Sequence, residues 1–129
     1  LHLVQQHQRH ISGAAIQWVA QRLGLQPINI WELVTFYPSF KEQPMGRIHL
    51  RLCKTLSCML QGAAKTGEEL EKLLGCKIGE TRSDGEVSIE WVECLACCDK
   101  APVALIGTGL ETHLTPDKLP ALVARMGLR

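Results

Sequence analysis

The sequence predicts an α/β fold, a small mixed sheet with flanking helices, preceded by a separate helical unit. Three observations carry this. Apolar residues from Leu1 to Tyr37 recur at helical spacing, and the period switches to strict alternation at Arg47. From there strand-like and helix-like runs follow in the order β–α–β–β–β/α.

Each element has its own signal. Leu1 to Arg9 reads as the tail of a helix. Ser12 is an N-cap for a helix whose apolar face is Ala15, Ile16, Val19, Ala20 and Leu23, stopped by Gly24. After Pro27, the residues Ile30, Leu33, Val34 and Tyr37 keep helical spacing until Pro38 ends the run. Lys41 to Gly46 is a linker. The chain therefore divides into a helical unit with its linker, residues 1–45, and a sheet domain, residues 46–129. In the second part Ile48, Leu50 and Leu52 alternate with Arg47, His49 and Arg51 as a half-buried strand. A loop carrying Cys53 and Cys58 follows, then a helix over Ala63 to Leu74 with Leu70, Leu73 and Leu74 inward and Gly75 as its stop. Ser83-Asp84-Gly85 is a turn before a strand with Val87, Ile89 and Trp91 on one face. A strand at Val103 to Ile106, a turn at Gly107-Thr108-Gly109 and a short strand near Leu110 to His113 come next. Thr115-Pro116 then opens a last helix with Leu119, Leu122, Val123 and Met126 on one side.

Composition narrows the function. A length of 129 residues suits one ordinary domain with a real core, and 46% hydrophobic with 21% charged residues is globular. A net charge of +1, spread along the chain, argues against a nucleic-acid surface or a membrane-attracted patch. No apolar stretch approaches the roughly 20 residues of a membrane span, and Leu1 to His10 lacks the apolar run of a signal peptide.

The six cysteines are the chemical signal. Cys53 and Cys58 form a Cys-x4-Cys, and Cys94 and Cys98 a Cys-x3-Cys, each just after an expected strand. Loops at the ends of neighbouring strands converge, so four thiolates can meet on one side of the sheet. Such a soft, anionic set suits a [2Fe–2S] cluster. Spacing alone leaves two rivals open. Cys94 and Cys97 also make the Cys-x2-Cys of a structural zinc site, and a thiol–disulfide enzyme uses the same spacing. Around four thiolates and two irons, backbone N–H groups, the Thr55 and Ser57 hydroxyls, Lys54 and Lys100 are the candidate balancing donors and charges.

Beyond the cysteines, several motifs stand in order: Thr35-Phe36-Tyr37, Pro44-x-Gly46, Thr55 inside the first cysteine loop, Gly79-Glu80-Thr81, Asp84-Gly85, Val92-Glu93-Cys94-Leu95, Ala101-Pro102 and Leu114-Thr115-Pro116. With them the chain resembles, over nearly its whole length, the thioredoxin-like [2Fe–2S] ferredoxin subunit of respiratory complex I. That family has relatives in bidirectional hydrogenases and NAD-dependent formate dehydrogenases. The resemblance implies a thioredoxin-like sheet and a cluster held by Cys53, Cys58, Cys94 and Cys98. It implies one-electron exchange with the FMN of a partner flavoprotein that also binds NADH. It further implies a place in a peripheral arm on the cytoplasmic side of the membrane, with no membrane insertion and no bond-making by this chain. Within the second loop the family usually has Cys-Leu-Gly-Ala-Cys, where this chain has Ala96 and Cys97. Ala96 is costly if that position needs positive φ. Cys98 keeps the family spacing and is the expected ligand, with Cys97 a small neighbouring residue.

The remaining conspicuous residues have plainer readings. Cys76, Trp18, Trp31 and Trp91 are expected in cores or interfaces, and Phe36-Tyr37 in packing between the helical unit and the sheet. His49 is expected at the surface. Gly62 and Gly67 near Lys65-Thr66 lack the spacing of a phosphate loop, and no Gly-rich nucleotide fingerprint follows any strand. Pro102 is compatible with either peptide isomer.

Overall fold

The computed structural model describes Leu1 to Leu128, and the chain divides into two compact units, Leu1–Met45 and Gly46–Arg129. The first unit contains helices α1 (His2–Gln8), α2 (Gly13–Leu23) and α3 (Pro27–Phe36). Ser12 caps α2 by accepting a hydrogen bond from the Ala15 N–H at 3.2 Å, and Gly24 closes it in the left-handed region. Ile11, Ala15, Ile16, Val19, Ala20, Ile30 and Val34 form this unit's core. The linker is anchored within the unit: Gln5 Nε2 donates to the Ser39 carbonyl and Gln5 Oε1 accepts from the Lys41 N–H. Leu23, Leu33 and Tyr37 keep helical spacing yet are exposed, because two neighbouring helices cover only a narrow stripe of each. Phe36 is 75% exposed, and its ring lies edge-on to that of Tyr37 with centroids 5.0 Å apart.

The second unit is built on a four-stranded sheet in the order β2-β1-β3-β4. Its strands are β1 (Ile48–Cys53), β2 (Val87–Val92), β3 (Ala104–Ile106) and β4 (Gly109–Glu111). β1 runs parallel to β2, pairing Ile48 with Val87 through Cys53 with Val92. It runs antiparallel to β3, and β3 to β4. The alternation of Leu50 and Leu52 on β1 and of Val87 and Ile89 on β2 places these side chains in one core. Between β1 and β2 lie a short helix, α4 (Leu56–Leu60), and a longer one, α5 (Ala63–Leu74); α6 (Leu119–Arg125) closes the unit. Helices α5 and α6 contribute Leu70, Leu74, Leu119 and Leu122 to the core. Each such aliphatic side chain contributes about 1.5–3 kcal/mol on full burial. Leu73, expected inward, lies one position off the buried stripe and is exposed. Thr66 is buried on α5, where its hydroxyl donates to the Leu114 carbonyl at 2.8 Å.

Two glycines are close-approach positions. A Cβ on Gly46 would stand 2.6 Å from the Val87 carbonyl carbon, and one on Gly67 would stand 2.9 Å from the Trp91 ring. Gly67 is therefore the seat of Trp91 rather than part of a ligand loop. His49 is not a free surface residue, since its Nε2 lies 2.8 Å from Glu90 Oε1 on the adjacent strand. The Ala101–Pro102 bond is cis. No described helix is long and apolar enough to cross a membrane.

Candidate metal centre

Topology brings the cysteines together. Because β1 and β2 are parallel, their C-terminal ends lie side by side, with Cys53 in register with Val92 and Cys94 two residues beyond it. Because β3 is antiparallel to β1, its N-terminal end lies at the same edge, and Cys98 precedes it. Two backbone bonds tie the strand ends together: the Cys53 N–H donates to the Val103 carbonyl at 3.1 Å and the Lys54 N–H to the Val92 carbonyl at 3.0 Å.

The first cysteine loop is not wholly a loop, since α4 occupies most of it and carries Cys58 on its inner side. This element escapes sequence pattern because one buried residue in a single turn leaves no period to read. Cys53 and Cys58 are buried, at 2% and 1% exposure, with Ala63 and Val103. The second loop runs through Ala96 at φ 57° and Cys97 at φ −135° into a 3-10 turn over Cys98–Lys100. The positive φ at Ala96 is a conformation that glycine adopts without strain. It also presents the Ala96 N–H to the Cys94 sulfur at 3.3 Å. Cys94 and Cys98 are exposed, and all six cysteines are free thiols.

The sulfurs are grouped two and two. Cys94 Sγ and Cys98 Sγ are 3.5 Å apart, while Cys53 and Cys58 belong to one buried cluster. Cys94 and Cys98 both sense the charge of Cys53, so the pairs adjoin. Two thiolates about 2.3 Å from one tetrahedral metal stand roughly 3.8 Å apart, close to the observed spacing. A two-iron cluster, with two thiolates on each iron, fits this arrangement. Among the described residues no three His, Cys, Asp or Glu side chains, the four cysteines included, are gathered closely enough to hold a metal ion as they stand. Cys97 does not join Cys94 in a zinc-type pair. It packs, half-buried, against the group formed by Cys53, Cys58, Ala63 and Val103.

Proton affinity follows the same pairing. Burial pushes the Cys58 thiol up to about 11, with Cys53 beside it adding to the rise. Burial also acts upward on Cys53, but the Thr55 hydroxyl and N–H, the Cys58 thiol and the Leu95 N–H together bring it below the ordinary thiol value. The Ala96 N–H and then the Cys98 thiol lower Cys94, and Cys98 is raised chiefly by Cys94. Each pair thus has one thiol inclined to ionise and one that holds its proton. The other expected charges act weakly: Lys54 Nζ is directed to Glu93 at 3.1 Å, and Lys100 is exposed.

The family model described as "Thioredoxin-like [2Fe-2S] ferredoxin" matches residues 1–127. The chain belongs to this family. Among curated relatives of this ferredoxin, a subunit of the NADH-quinone oxidoreductase of Rhizobium meliloti (strain 1021) is 40% identical over 123 residues, covering 95% of this chain and 73% of the relative. The corresponding NADH-quinone oxidoreductase subunit of Escherichia coli (strain K12) is 34% identical over 125 residues, covering 97% and 75%. Both relatives are thus parts of an oxidoreductase. In fold, the ferredoxin is similar to a chain of an NAD+-reducing [NiFe]-hydrogenase in the air-oxidized state, at a TM-score of 0.84 and 21% identity. That alignment covers 98% of this chain but only 22% of the hydrogenase chain. The thioredoxin-like [2Fe-2S] ferredoxin from Aquifex aeolicus aligns at a TM-score of 0.50 and 13% identity, over 62% of this chain and 84% of its own. The thioredoxin-like α/β class expected from the sequence is the observed one, and family membership favours iron–sulfur over zinc.

Proposed function

We propose that this ferredoxin transfers single electrons within an NADH:quinone oxidoreductase, through a [2Fe–2S] cluster held by Cys53, Cys58, Cys94 and Cys98. Its electron partner is the FMN of an NADH-oxidising flavoprotein, in a peripheral arm on the cytoplasmic side of the membrane. When bound, the cluster supplies a one-electron couple between two ferric irons and a ferric–ferrous pair. The observation that carries the reading is the meeting of two cysteine pairs at one sheet end, in a chain 34–40% identical to subunits of NADH-quinone oxidoreductases.

Each group in the chain has a part. Cys53 and Cys58 hold one side against an apolar floor of Ala63 and Val103, which excludes water. Cys94 and Cys98 hold the exposed side, where a partner's redox group can approach. The Ala96 N–H supports sulfur charge from the backbone, at no cost in protons. The helical unit, residues 1–45, serves as a docking element, with the exposed Trp18 and Trp31 as contact residues. NADH does not bind this chain.

A second reading gives the same electron transfer a place in an NAD-linked hydrogenase, favoured by the close fold match to the NAD+-reducing enzyme. The test is anaerobic purification with iron, followed by visible and paramagnetic resonance spectroscopy. A reddish-brown protein with a signal on reduction, reduced by NADH only when the flavoprotein is added, supports the proposal. A colourless, silent protein sinks it. Whichever flavoprotein reduces the chain decides between the two enzymes.

A further inference from the structure

The geometry points to Thr55 as a hydrogen-bond donor to Cys53 that raises the reduction potential of the proposed cluster. This rests on the [2Fe–2S] reading above. Thr55 Oγ1 lies 3.1 Å from Cys53 Sγ. Either atom can donate while the cysteine is a thiol, but a metal-bound sulfur has no proton, so the hydroxyl must then be the donor.

A second observation is independent of that distance. Thr55 occupies the N-cap of α4 with extended backbone, φ −79° and ψ 171°, where a threonine hydroxyl ordinarily accepts from a backbone N–H of the first turn. It makes no such capping bond. Ser12, at the equivalent position of α2, does make one. The Thr55 side chain has forgone the usual role of its position, and its hydroxyl is turned to sulfur. The hydrogen bond of this hydroxyl to sulfur is the one to Cys53.

The physical effect has a definite sign. Adding an electron makes the cluster and its thiolates more negative, so a donor to sulfur stabilises the reduced state more than the oxidised one. Removing the donor lowers the potential. The anaerobically purified holoprotein is titrated with dithionite, following the paramagnetic signal to read the midpoint. Thr55→Val keeps the shape without the hydroxyl, and Thr55→Ser keeps the hydroxyl without the methyl. The expected result is a lower midpoint for Thr55→Val and a midpoint near wild type for Thr55→Ser, both with the wild-type visible spectrum. An unchanged midpoint in Thr55→Val, or an equal fall in both variants, overturns the inference. Should Thr55→Val hold no cluster, Thr55→Ala takes its place, and loss of the cluster in all three variants also overturns it, since Thr55 is then structural. A wild-type protein without any cluster signal would refute the proposed function instead.

Discussion

Replacing Ala96 with glycine should stabilise this protein, against the usual direction of such a change. Ala96 is held at φ 57° in the turn that aims its N–H at Cys94. An L-residue in the left-handed region costs about 1–2 kcal/mol relative to glycine. Glycine in turn gives the unfolded chain more freedom, which offsets about 0.4–1 kcal/mol. The central values leave about 0.8 kcal/mol in favour of Ala96→Gly. For a unit of this size each kcal/mol shifts the thermal midpoint by about 4–8 °C, so a rise of roughly 3–6 °C is expected. Far-UV circular dichroism of both proteins in the cluster-loaded state, at one scan rate, reads it. The Cys94 contact survives because it uses the backbone, and the visible spectrum should not change. A midpoint that stays put or falls, in a variant with wild-type secondary structure, would show that the turn is not strained and that the reasoning is wrong.

Two further outcomes follow from the geometry. Gly46→Ala pushes a methyl into the β2 backbone, 2.6 Å from the Val87 carbonyl carbon and 2.8 Å from the Ser88 nitrogen. Backbone yields poorly, so about 3 kcal/mol of stability is lost, measured as a lower urea midpoint with an unchanged slope. In the cluster-free protein at about pH 8, iodoacetamide should modify Cys94 before Cys58. Alkylation needs the thiolate, Cys94 is exposed with a lowered pKa, and Cys58 is buried with a pKa of about 11, roughly one part in a thousand ionised at that pH. Mass spectrometry of timed samples gives the order, and early labelling of Cys58 would contradict the burial described.

The elements legible in sequence are those whose burial imposes a long enough period. Ile48, Leu50 and Leu52 announce β1, and the stop of α5 is marked by Gly75. The cysteine pairs are legible because each follows a strand, so strand-end geometry alone brings them near one another. What stays hidden depends on register or on contacts far apart in sequence. The approach of His49 to Glu90 requires knowing that β1 and β2 are parallel and aligned Ile48 to Val87. Gly67 carries no signal in the sequence beyond failing the spacing of a phosphate loop, until Trp91 is seen against it. Leu23 and Leu73 follow the apolar period but fall outside the stripe that neighbouring elements cover. The strain at Ala96 is foreseeable only as a condition, since a side chain's identity does not reveal its φ.

The unequal burial of the four sulfurs has a consequence for traffic. Cys53 and Cys58 are walled off by the protein interior, while Cys94 and Cys98 open to solvent. For the cluster proposed above, this asymmetry sets distances of approach. A partner docking on the Cys94 and Cys98 side would come nearer to the irons than one on the buried side, so that side is where a short electron path would be built.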